Sequence, residues 1–260
     1  MISSTSNAQV KEVLALQSKA KARCESGFFV VEGLRLVREA RSEEIERLYM
    51  TEAFALTEEG RRLAASCRFE TVSDAVMQHM ADTKTPQGVL AVVKMHSYDI
   101  RELTGGPLLV LENVQDPGNV GTLFRTAEAA GASGILMNEG TADPWQPKVV
   151  RSTMGAIFRL PFVRSRDLAA DIRSLKEAGY LVYAAHLQGK EAYDGIVYPE
   201  KAAFLLGNEG NGLTDETAAI ADEKILIPMA GKTESLNVSV AGAVLIFEHF
   251  RQKRRLSQHP

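Results

Sequence analysis

The chain switches repeatedly between two hydrophobic periods, and the switches predict its elements. In NAQVKEVLALQSKA (residues 7–20), Val10, Val13, Leu14 and Leu16 recur every three to four residues, on roughly one side of a helix. FFVVEG then reads as a short buried strand. GLRLVREARS is helical in pattern, with Leu34, Val37 and Arg38 at helical spacing. IERLYMT alternates with period two, as a half-buried strand does. EEGRRLAAS and SDAVMQHMAD are helical in pattern, and GVLAVVKM is a strongly apolar strand.

The pattern lapses over HSYDIRELTGGP, which is polar and ends in Gly-Gly-Pro. This predicts a linker over residues 96–106, between domains at 1–95 and 107–260. Beyond it, PLLVLENV, GILMNEG, YLVYAAHL, KAAFLLG and EKILIPM read as strands. Between them lie helices: NVGTLFRTAEAAGA after a Pro-Gly turn, RDLAADIRSLKEAG ending at Gly179, and TDETAAIA behind a Thr214 cap. SLNVSVAGAVLIFEHFRQKRR closes the chain as a long helix. Continuous apolar strands separated by helices imply a parallel sheet covered on both faces. Both parts therefore read as α/β, the second more cleanly.

Composition narrows the class without choosing a function. Of 260 residues, 45% are hydrophobic and 24% charged, as in an ordinary globular protein with a core of its own. A net charge of −3 announces no nucleic-acid binder, although a local patch can serve. Two segments could form one: KAKAR (residues 19–23) and RQKRR (residues 251–255). Either could equally be a solvated helix end. Cys24 and Cys67 stand alone, without CxxC or Cys/His spacing, which argues against a disulfide framework and a zinc site. No apolar run approaches the ~20 residues of a membrane span. A cytoplasmic protein without metal is the expectation.

Three loops could carry chemistry. In the first, residues 112–131, Asp116-Pro117-Gly118 turns a strand into a helix whose first N–H groups suit an anion or polar ligand. Asn119 could also be that helix's N-cap, and Arg125, about two turns in, a surface arginine. The second, LLGNEGNGL (residues 205–213), lacks both the dinucleotide GxGxxG register and the Lys-Ser/Thr ending of a P-loop. There Glu209 alone would pass for a solvated acid. In the third, residues 227–241, Ser235 is a natural N-cap for a helix starting near Leu236. That helix is apolar on nearly every side, from Val238 and Val240 through Phe247 and Phe250, so it is buried in a core or against another subunit. All three loops follow strands of one parallel sheet, at the ends where open α/β sheets bind ligands.

Together the three segments resemble the SpoU (TrmH-like) branch of the SPOUT RNA methyltransferases. NVQDPGNVGTLFRTAEAAGA is similar to the family's first motif, LLGNEGNGL to its second, and IPMAGKTESLNVSVAGAVLIFE to its third. They occur in family order and span residues 108–248. The opening stretches ISSTSNAQVKEVLAL and FFVVEGLRLVREA are similar to the L30e-like substrate-binding domain of many members. The resemblance implies an α/β domain with a deep trefoil knot, preceded by a smaller α/β domain. It implies bound S-adenosylmethionine, a homodimer through the knotted domain, and a ribose 2′-hydroxyl as substrate, in ribosomal RNA more than in tRNA.

Matched residue by residue, Asn119 and Arg125 fall on the polar pair of motif one, Glu209 on the glutamate of motif two, and Ser235 and Asn237 on the polar pair of motif three. Cofactor contacts fall at Leu206, Gly207, Asn208, Ile227, Met229, Ser235 and Leu236. Two other classes compete: a non-catalytic RNA- or ribosome-binding protein, and a nucleotide-cofactor oxidoreductase. The intact polar set argues against the first and the missing glycine fingerprint against the second.

Overall fold

The computed structural model describes residues 1–258. It divides into two compact units: Met1–His96 with Asp143–Phe158, and Ser97–Ala142 with the chain from Arg159 onward.

The first unit opens with α1 (Ala8–Ser18), α2 (Ala20–Ser26), β1 (Phe28–Glu32), α3 (Leu34–Val37) and β2 (Ile45–Thr51). It continues with α4 (Glu52–Ala55), α5 (Glu58–Ser66), β3 (Phe69–Val72), α6 (Asp74–Met80) and β4 (Val89–Lys94). Side-chain caps start the helices: Asn7 accepts from the Gln9 N–H, Thr57 from Gly60 and Ser73 from Val76. The sheet order is β1-β4-β2-β3, with β4 antiparallel to both neighbours and β3 parallel to β2. This unit is thus mixed, not an all-parallel α/β layer. The helix predicted over GLRLVREARS shrinks to the single turn of α3, because the chain re-forms as a 3-10 turn at Ser42–Glu44. One face of the sheet is covered by Val10, Val13 and Leu16 of α1, with Met77 and Met80 of α6.

The second unit holds β5 (Leu108–Leu111), α7 (Pro117–Ala129) and β6 (Gly134–Asn138) before the chain enters residues 143–158. That segment carries α8 (Pro147–Ser152), for which the pattern predicts no element. Trp145 packs on Phe29 with ring centroids 4.6 Å apart, and Phe158 lies 6.1 Å from the same ring. Arg23, 3% exposed, anchors the segment's start. Its Nη2 and Nε donate to Asp143 Oδ2 at 2.5 and 3.1 Å, and its Nη1 to the Leu16 and Gln17 carbonyls at 2.6 and 3.1 Å. Stranding one charge of such a pair costs about 3–5 kcal/mol. Arg23 is therefore committed to the fold, and of the three charges of KAKAR those of Lys19 and Lys21 face solvent.

The chain returns through β7 (Phe162–Ser165), α9 (Leu168–Glu177), β8 (Leu181–Ala185) and β9 (Glu191–Ala192). It ends with β10 (Ala202–Leu206), α10 (Asp215–Ile220), β11 (Glu223–Leu226) and α11 (Val238–Gln258). All seven strands pair in parallel, in the order β7-β6-β5-β10-β8-β11-β9. Leu168, Ile172 and Leu175 of α9 cover one face. On the other, α11 meets α7 and β10 at Gly242, where a Cβ would lie 2.4 Å from Leu123 Cδ2 and 2.8 Å from Leu206 Cδ1. Because β10 lies between β5 and β8, the segments leaving β5, β10, β8 and β11 emerge side by side.

Candidate active site

The first loop leaves β5 through Asn113, whose left-handed φ of 55° is tolerated by asparagine better than by most residues. Its N–H donates to Asn138 Oδ1 at 2.9 Å, and Asn138 Nδ2 returns a bond to Asn113 Oδ1 at 2.9 Å. Asp116, not Asn119, caps α7, accepting from the Asn119 N–H at 2.9 Å, and Pro117 takes the first helical position. Asn119 therefore sits in the first turn with its amide free to bond elsewhere. Val120, Leu123, Phe124 and Ala127 of α7 are buried, and Arg125 is exposed.

The second loop is pinned at several points. Asn208 and Gly212 exchange N–H···O bonds of 2.9 Å, closing a tight turn. Asn208 Oδ1 accepts from the Gly210 and Asn211 N–H groups at 2.9 and 3.1 Å, while its Nδ2 donates to the Asn113 carbonyl at 2.9 Å. Glu209 reaches back to the first loop. Its carboxylate accepts from the N–H groups of Gln115 and Asp116 at 3.2 and 3.1 Å and from Asn119 Nδ2 at 3.0 Å. Desolvation raises its pKa, but the hydrogen bonds from Asn119 and from the main chain of Glu209, Asp116 and Gln115 outweigh it. The net shift is downward, so Glu209 is an anion at neutral pH.

The third loop joins the same network. Helix α11 starts at Val238, and Asn237 takes the capping role expected of Ser235: its Oδ1 accepts from Ser239 N–H and Oγ at 2.9 and 2.6 Å. Its Nδ2 donates to Asn119 Oδ1 at 3.0 Å. Glu209, Asn119 and Asn237, one residue from each motif, thus form a continuous hydrogen-bonded chain. Ser235 and Arg125 stay exposed, and among the described residues no hydrogen bond or ion pair joins Arg125 to Glu209.

A fourth segment was missed by sequence reasoning. Residues 186–190 leave β8, so the strand order sets them between the second and third loops. His186 N–H bonds the Ile225 carbonyl at 2.9 Å, and a Cβ on Gly189 would lie 2.5 Å from the Ile225 carbonyl carbon. Leu187 is 73% exposed beside them. No motif marks this segment; only the strand order reveals it. The donor set around these loops suits a polar organic ligand. Among the described residues, the main-chain N–H groups of Gly207, Ile227, Met229 and Leu236 take no part in the turn and loop hydrogen bonds. Among the described residues, no group of three or more His, Cys, Asp or Glu could hold a metal ion.

An open parallel sheet whose strand ends carry three interlocked polar loops is the arrangement in which α/β proteins bind ligands. The comparisons give the family. Residues 106–247 match the SpoU rRNA Methylase family, and residues 7–91 match the MRM3-like substrate binding domain. A 23S rRNA (guanosine(2553)-2′-O)-methyltransferase of Bacillus subtilis is 35% identical, with 96% of this chain and 98% of the relative covered. The crystal structure of an rRNA methyltransferase from Sinorhizobium meliloti with bound AdoMet superposes with a TM-score of 0.84 at 33% identity, covering 96% of this chain and 97% of that one. The AviRb SpoU methyltransferase of Streptomyces viridochromogenes, also solved with AdoMet, gives 0.86 at 26% identity, covering 95% and 98%. The chain belongs to the SpoU rRNA methylase family.

Proposed function

We propose that this chain is an RNA methyltransferase that moves a methyl group from S-adenosylmethionine to a ribose 2′-hydroxyl of 23S ribosomal RNA. Family membership and the full-length relative named for that reaction support the activity and substrate class. The observation that carries the site is the Glu209–Asn119–Asn237 chain, which joins three sequence-distant motifs into one wall. The main-chain groups of Leu206, Gly207, Ile227, Met229 and Leu236 would receive the cofactor, with Ser235 exposed beside them. Asn208, whose amide is spent inside the fold, contributes by shaping the loop.

When bound, S-adenosylmethionine supplies an electrophilic methyl carbon. The chain's own task is then to place the 2′-hydroxyl in line and let its proton leave. Such positioning can supply roughly 7–11 kcal/mol. Arg125, the charged residue of the motif-one pair, is exposed and makes no hydrogen bond or ion pair among the described residues. Its guanidinium offers only N–H donors and no acceptor, so it is no base. It orients the hydroxyl or grips the adjacent phosphate through two N–H donors, and the phosphate or a water takes the proton. The Arg125→Ala variant should bind S-adenosylmethionine within about twofold of wild type in calorimetry while methyl transfer falls at least 100-fold. Unchanged transfer would remove Arg125 from the reaction.

The first unit serves RNA binding, through shape and 2′-hydroxyl contacts. Because residues 143–158 pack into it, deletion of residues 1–95 would uncover Trp145 and strand Asp143. Point variants of the whole chain are the sounder probe. The exposed side of α11 supports a second copy of this chain as partner. No helix among the described residues is long and apolar enough to cross a membrane. A ribosomal RNA substrate supports a cytoplasmic site of action.

A further inference from the structure

Two carboxylates cross between the ends of β5 and β10 in opposite directions. One is Glu209, which leaves the second loop for the first. The other is Glu112, the residue after β5, which no motif role covers. Glu112 is 6% exposed, and its N–H continues the sheet to the Leu206 carbonyl at 2.9 Å. Its Oε2 accepts from the Thr214 N–H at 2.8 Å, and its Oε1 from Thr214 Oγ1 at 2.8 Å and Thr217 Oγ1 at 2.5 Å. A buried carboxylate is costly unless its lone pairs find donors, and here three donors converge on it. All three come from residues 214–217, where the glycine-rich loop ends.

The second loop is therefore held at three places, each by the first loop. Its entrance is held through Asn208 Nδ2 on the Asn113 carbonyl, its tip through Glu209, and its exit through Glu112. A loop with three glycines has many conformations to lose on binding. Fixing both ends and the tip beforehand removes most of that cost from the binding step.

We propose that Glu112 is a positioning residue for cofactor binding: it fixes the exit of the Gly207–Leu213 loop and acts with Glu209 as one clamp that preshapes the pocket. This rests on the reading of that loop as a wall of the S-adenosylmethionine site.

The test uses the full-length protein and S-adenosylmethionine calorimetry on wild type, Glu112→Gln, Glu209→Gln and the double variant. Turnover on 23S rRNA at saturating cofactor and the ligand-free melting temperature are measured alongside. Glu112→Gln should weaken cofactor binding at least tenfold while turnover at saturation stays within about threefold. The double variant should bind far better than the product of the two single losses predicts, because both act on one element. Thr217→Val, which removes one donor at nearly constant volume, should weaken binding about threefold and serves if Glu112→Gln does not fold. A variant that melts lower yet binds normally would make Glu112 a structural anchor only and overturn the proposal, as would losses that multiply. Wild-type protein that fails to bind S-adenosylmethionine would overturn the site reading itself, and this proposal with it.

Discussion

Gly207 is set apart from other glycines near the site by what surrounds it. A Cβ there would lie 2.2 Å from both the Gly212 carbonyl carbon and the Leu213 nitrogen, which are backbone atoms that cannot swing away. At Gly231 a Cβ would meet nothing within 4 Å. Gly207→Ala should therefore open the closed turn and lower S-adenosylmethionine affinity at least 100-fold, while Gly231→Ala leaves it within about twofold. Titration calorimetry on both decides, and equal affinities would show that the turn does not shape the pocket. The sequence marks LLGNEGNGL as a loop but not which glycine is packed. The same holds for the polar residues: Asn119, Glu209 and Asn237 were identifiable from their motifs, their partners were not. Whether Glu209 holds an arginine, a ribose or Asn119 depends on which strand lies beside β10, and no local pattern encodes that.

At the scale of elements, long and strongly periodic segments were legible and short or competing ones were not. The strands β5 and β10 are apolar at every position and stand out. β3 has two exposed residues in four, so it carries no burial signature, and β7 lies just beyond the segment that joins the other unit. The start of α11 was placed at Leu236 behind Ser235 because serine and asparagine cap about equally well. The contact of Asn237 with Asn119 fixes the choice, and it is tertiary. Farther along α11, His249 is 2% exposed, and its Nε2–H donates to the Pro199 carbonyl at 2.8 Å. Burial holds its pKa below the ordinary histidine value. Below about pH 6.5 the unfolded chain therefore takes up a proton that the folded chain resists, and stability falls with pH. The melting temperature should drop more steeply between pH 7.5 and 5.5 in wild type than in His249→Gln, which keeps a donor for Pro199. Parallel curves would mean that other groups govern the acid limb.

For the whole molecule, the sequence settles the fold class of the second unit and leaves its assembly open. A helix apolar on nearly every side allows two destinations, a core or another subunit, and periodicity cannot choose between them. In the structure only part of α11 is buried. Leu245 and Ile246 are buried, while Val240, Phe247 and Phe250 remain 47%, 43% and 39% exposed. Phe247 and Phe250 meet edge to face with centroids 6.1 Å apart, forming one apolar surface. Contiguous exposed aromatic surface of this kind marks an interaction site more often than a free face, and aromatic residues are enriched in such interfaces. A second copy is the economical occupant, since an isologous contact pairs the same patch on both chains. Light scattering after size exclusion should thus give wild type twice the 28.4 kDa chain mass. Two charges in place of two rings would repel across a two-fold axis, so Phe247→Glu with Phe250→Glu should give 28.4 kDa. The α7 side of the helix, packed at Gly242, is untouched by these changes, so the variant should keep its helical content by circular dichroism. A wild-type chain that runs as a monomer at micromolar concentration would leave the aromatic face to a different partner.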